Sequence, residues 1–138
     1  MKLLMLFGSI LVSACASTTS STVAQSEYIP PAKRQLVDPD FKNGKLYMKR
    51  EDWFHNFKVG AIPDFCSNPN AGFLASYQGI PSDCEKTVEQ YMDYCVDKVI
   101  NKKLPQVFTS VPQATIAGEN VGLCTFSAYR ASLKKANS

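Results

Sequence analysis

From Cys84 onward the chain places Val88, Tyr91, Met92, Cys95, Val96 and Val99 at steps of three and four residues. At ~100° per residue such positions form one apolar stripe, which predicts an amphipathic helix over residues 83–102. Ser82-Asp83-Cys84-Glu85 has the S-x-x-E form of a capping box, directly after Pro81. Lys98, Lys102 and Lys103 put cations at the negative end of the helix dipole, and Pro105 follows. Nearly opposite the stripe, Glu89, Asp93 and Asp97 repeat at i, i+4. Like charges at that spacing repel slightly, so they read either as a solvated face or as a surface kept for a basic partner.

The flanking patterns are weaker. Positions 44–48 suit a short strand, or an approach to a second helix over residues 50–58. Glu51 and Asp52 would open that helix, Trp53 and Phe57 would share one side, and Pro63 would end any continuation. Residues 66–81 are rich in breakers and leave room for a helical turn or two at 73–77. Beyond Pro105, the spacing of Val107, Phe108, Val111 and Pro112 suggests an irregular or short helical stretch. Ala117-Gly118-Glu119-Asn120 reads as a turn. In residues 121–135, Cys124, Phe126 and Ala128 alternate like a strand, whereas Leu123, Phe126, Arg130 and Leu133 fit a helix. The Ala and Lys content of the second half favours helix. The expected fold is mainly α, a small disulfide-stapled helical domain, with α+β as the alternative because of the short strand-like runs.

The N-terminus has a different pattern. Met1-Lys2, an apolar run over residues 3–12 and Ser13-Ala14-Cys15 make a secretory signal peptide. The run is about ten residues long, against the ~20 that a membrane span needs. Val12-Ser13-Ala14-Cys15 resembles the lipobox of bacterial lipoproteins. That resemblance covers residues 1–15 and implies cleavage before Cys15, with acylation of its thiol and its new amine. Ala16 rather than Asp after the lipidated cysteine favours the outer membrane, by analogy with enterobacterial lipoproteins. Residues 16–26 are small, polar and without period, and Tyr28-Ile29-Pro30-Pro31 is a stiffer continuation. The chain thus divides into a signal peptide at 1–14, a lipidated tether at 15–38 and a periplasm-facing domain at 39–138.

With Cys15 assigned to lipid, Cys66, Cys84, Cys95 and Cys124 remain. In an exported domain four cysteines read as two disulfides. Their gaps of 18, 11 and 29 residues lack paired metal-ligand spacing, and His55 is the one histidine, so no metal is expected. Eleven helical residues rise ~16 Å, whereas bonded cysteines have Cα atoms within ~7 Å, so Cys84 does not pair with Cys95. Both 66–84 with 95–124 and 66–95 with 84–124 satisfy that limit.

Charge and chemistry narrow the function. Fifteen Lys and Arg against twelve Asp and Glu give a net charge of +3, too low and dispersed for nucleic-acid binding. Lys33, Arg34, Lys42, Lys45, Lys49 and Arg50 read as solvated surface, or as a contact for anionic lipid or an acidic partner. His55 among Trp53, Phe54 and Phe57 reads as a half-buried helix residue. No serine sits in a G-x-S-x-G elbow, disulfide pairing removes the thiolates, and no cofactor motif occurs. Enzyme activity is therefore not expected. The sequence points to an envelope lipoprotein that binds proteins as an accessory, pilotin-like in type, tethering, escorting or stabilising a larger assembly. The alternative is a periplasmic inhibitor or immunity protein acting against a lytic enzyme.

Overall fold

The computed structural model describes residues 27–68 and 72–138. The signal peptide and Cys15 lie outside the described residues. A tight hairpin comes first, β1 (Asp40–Lys42) and β2 (Lys45–Lys49), paired antiparallel. Its two-residue turn needs positive φ at both positions, and Asn43 (52°) and Gly44 (73°) supply it. A two-residue strand, β3 (Val107–Phe108), pairs antiparallel with β2 through Met48 and Lys49. The sheet order is β1-β2-β3.

Helix α1 (Arg50–Ser67) begins with Glu51 and Asp52 at the positive end of its dipole. It does not stop at Pro63, where the sequence predicted its end. An internal proline costs ~3 kcal/mol in a helix with no other support. Here Ile62 is fully buried, Phe65 packs on the core and Cys66 is bonded to Cys84, so tertiary contacts hold the turns around it. Helix α2 (Gly72–Ser76) inserts Phe73 into the core.

Helix α3 (Cys84–Tyr94) is the central element, packed against both α1 and the C-terminal helix. The predicted span is helical but not uniform. A 3₁₀ turn covers Pro81–Asp83, and Ser82 makes no capping hydrogen bond, so the predicted capping box does not form. After Tyr94 the chain widens into a π-helical turn, Cys95–Val99, followed by a 3₁₀ turn, Asn101–Lys103. The wider turn shifts the phase of the stripe. Ile100 takes the buried position, and Val99, predicted on the core side, is turned outward.

The C-terminal helix α4 (Val111–Ala136) runs through Ala117-Gly118-Glu119-Asn120 without a turn. Ser110 caps it by accepting from the Gln113 N–H at 3.4 Å, while Gln113 Oε1 accepts from the Thr109 N–H at 3.0 Å. Gly118 is buried, and its missing side chain admits the Phe57 ring.

These elements surround one core of Ile62, Phe73, Val88, Met92, Phe108 and Val121. Disulfides join Cys66 to Cys84 and Cys95 to Cys124, so α3 is bolted to α1 at one end and to α4 at the other. The protein is mainly helical, with a small three-stranded sheet and two disulfides.

The expected tether boundary at residue 38 falls within packed chain. Pro31 is buried, and Arg34 binds Glu89 of α3. Asn56 of α1 both accepts from the Val37 N–H and donates to its carbonyl. Residues 28–37 therefore belong to the folded unit, because these polar side chains and a buried proline fasten them to it.

Candidate functional site

The two flanks of α3 have different chemistry. On the α1 flank Arg34 donates two hydrogen bonds to the Glu89 carboxylate, each 2.7 Å, and Lys58 approaches Glu89 at 3.1 Å and Asp93 at 3.0 Å. The Glu89 side chain is only 14% exposed. Burial alone would raise its pKa; the hydrogen bonds from Arg34 and Lys58 outweigh that and hold the carboxyl below its ordinary range. Beside it the Tyr28 hydroxyl is buried, with no hydrogen-bond partner among the described residues. Burial and the Glu89 charge push its pKa up to about 12.

The acidic stripe predicted as a partner surface is therefore split. Glu89 and Asp93 share Lys58, whereas Asp97 lies exposed on the π-helical turn. Glu89 is not free for a partner, because α1 and residues 28–37 pack over it and answer its charge. Arg34 and Arg50, read as solvated, are also structural. Arg50 donates to the Pro105 and Leu104 carbonyls and to Asn101 Oδ1, tying α1 to the loop before β3. The His55 ring N–H donates to the Gln35 carbonyl at 2.7 Å, another tie to residues 28–37.

The α4 flank is apolar and open. Cys95 bonds to Cys124, Tyr91 packs edge-on against Tyr129 at 5.5 Å, and Ile100 lies near Ala117, so α3 and α4 run antiparallel. Along this seam α4 carries Ser127, Ala128, Ala131 and Ser132, too small to fill the space between the helices. The result is a groove of about 530 Å³, walled on the other side by Tyr91, Tyr94 and Val99. Tyr94 and Val99 are each 51% exposed there. Lys135, at one end, is the one charged lining residue. The groove is preformed. The Cys95–Cys124 bond lies at its base, and Tyr129, which props Tyr91, accepts a 2.9 Å hydrogen bond from the Gln78 N–H.

A smaller trough of about 340 Å³ lies between Phe57, Ala61 and Phe65 of α1 and Gly118 and Gly122 of α4, with Asp64 and Glu119 also on its wall. Among the described residues no group of three His, Cys, Asp or Glu is placed to hold a metal. Nor is any helix among them long and apolar enough to cross a membrane.

Sequence reasoning missed Tyr94, Val99, Ala128 and Ala131. The run of small residues at 127, 128, 131 and 132 was a usable signal for a shallow helix face. The outward turn of Val99 had none, since it depends on the π-helical turn. Compared with protein families, curated proteins and solved structures, the chain matches none.

Proposed function

We propose that the protein is an envelope lipoprotein, anchored by lipid on Cys15 and facing the periplasm from the outer membrane. On this reading it binds a protein partner as an accessory that tethers, escorts or stabilises a larger assembly. The observation that carries the reading is the α3–α4 groove. It is apolar, concave and held by a disulfide, and it exposes an aromatic and a β-branched side chain whose burial by a partner would release water favourably. A partner's amphipathic segment entering it would bury Tyr94 and Val99. Native electrophoresis of detergent-solubilised envelopes tests this. The wild-type chain should migrate in a large complex, and Ala131→Trp, which fills the groove from an exposed position, should return it to its free size with unchanged thermal unfolding. A wild-type chain of free size, or a complex indifferent to Ala131→Trp, would contradict the reading.

One observation favours the inhibitor reading. The β1–β2 hairpin holds Phe41 at 69% exposure beside Lys42, whose ammonium lies 4.0 Å from the Tyr47 ring centroid. A hairpin of that form suits insertion into an enzyme cleft. Under this reading Phe41→Ala, not Ala131→Trp, would abolish activity against a lytic enzyme.

A further inference from the structure

One row of α4 is complementary to itself. Glu119, Leu123, Ser127, Ala131 and Lys135 follow one another at four-residue steps, and all five are exposed. Such an i±4 row forms a continuous ridge on a helix surface. Read from either end, it places a charge, an aliphatic side chain, a hydroxyl, an aliphatic side chain and the opposite charge. A two-fold axis at Ser127 would therefore set Glu119 against Lys135 of a second copy and Leu123 against its Ala131.

We infer that, when no other partner is bound, two copies of this chain pair antiparallel through α4, with the two-fold axis at Ser127. The apolar content is on the surface already. Leu123 is 67% exposed, and Ala131 opposite it lines the groove beside α3. Leu123 of each copy would thus fill part of the other's groove. Charge sets the direction. Glu119 is the one acidic residue of α4, against Arg130, Lys134 and Lys135 near its C-terminus. Parallel pairing would stack those cations on each other. Antiparallel pairing sets Lys135 by Glu119 and Lys134 by Asn120, and it opposes the two helix dipoles. Each i±4 row is inclined about 26° to its helix axis, so aligning the two rows gives a crossing of about 50° in magnitude, a common angle for helices in globular proteins. The small residues Ser127 and Ala131 let the backbones approach near the axis.

This inference goes beyond the accessory reading: the second copy would occupy the groove until a partner replaces it. Light scattering of the full chain in detergent solution over a range of concentrations tests it. The wild type should form a dimer that dissociates on dilution. Lys135→Glu and Glu119→Lys should each raise the dimer dissociation constant about tenfold or more, since each sets like charges opposite one another twice. Mixing the two variants should restore pairing, as a heterodimer in which both charge pairs match. Ser127→Cys should form an interchain disulfide in the producing cell. A wild type that stays monomeric, or a dimer that survives both charge reversals unchanged, would overturn the inference. Either result leaves the Ala131→Trp test of the accessory reading standing, so the two failures are distinguishable.

Discussion

A β-carbon placed on Gly118 would lie 2.8 Å from Cε2 of Phe57, closer than carbon atoms approach in folded proteins. The Phe57 ring stacks on Trp53 with centroids 5.5 Å apart, so making room for a side chain at 118 disturbs that stack. Gly118 is thus where α4 meets α1, and its value lies in having no side chain.

Gly118→Ala should cost about 1–3 kcal/mol despite the better helix propensity of alanine, since overpacking outweighs the propensity gain. Gly122→Ala is the matched control. Its nearest contact would be an ordinary 3.5 Å to Phe65, so the variant should be neutral or slightly more stable. Urea unfolding of both variants beside wild type measures the difference. Equal stabilities would show that Phe57 moves aside.

The same glycine shows what the sequence withheld. Within Ala117-Gly118-Glu119-Asn120 the local chemistry is that of a turn, and only the partner helix makes it a packing site. Pro63 failed for a similar reason, because buried Ile62 and the bonded Cys66 carry α1 past a residue that locally breaks helices. The α3 stripe was legible as far as Cys95 and Val96, since periodicity reports burial directly. It failed at Val99, where the wider turn changes the period. The mainly helical class and the separation of Cys84 from Cys95 needed only spacing. The choice of 66–84 with 95–124 needed the direction of α4. The groove depends on two helices that the sequence does not show side by side.

Glu89→Gln should destabilise the fold by about 2 kcal/mol, because Arg34 and Lys58 lose the carboxylate that holds them near the surface. Asp97→Gln should stay within about 0.5 kcal/mol, as expected for an exposed site. The pH dependence follows from the lowered pKa of Glu89. An unfolded glutamate titrates near ~4.3, so the contribution is complete above that value and is lost as pH falls through the lower folded pKa. Acid titration of stability should therefore be shallower in Glu89→Gln than in wild type. Parallel acid limbs would show that the Arg34 and Lys58 contacts contribute nothing in solution.

Non-reducing peptide mapping should recover Cys66 with Cys84 and Cys95 with Cys124. Loss of either bond should cost about 2–5 kcal/mol, the range for small secreted domains. The Cys95–Cys124 bond should matter more for the groove than its stability cost implies. Its loss should raise the labelling of Tyr91 and Tyr94 by a tyrosine-specific reagent under conditions where the protein remains folded.

Cys15→Ser should abolish metabolic labelling with palmitate and release the chain from the membrane fraction. A multiply acylated anchor holds stably where a bare tether does not. Wild-type chain that takes up no palmitate would remove the lipoprotein reading while leaving the groove untouched.

Side-chain footprinting in intact envelopes, set against the purified chain diluted until it is monomeric, asks whether the groove is occupied in the cell. Hydroxyl-radical oxidation reads Tyr94 at the groove and Phe41 at the hairpin in one experiment. Tyr94 should become protected in the envelope while Phe41 reacts as fast as in the purified chain. Undiminished oxidation of Tyr94, with protection confined to Phe41, would contradict the accessory reading and place the working surface on the hairpin.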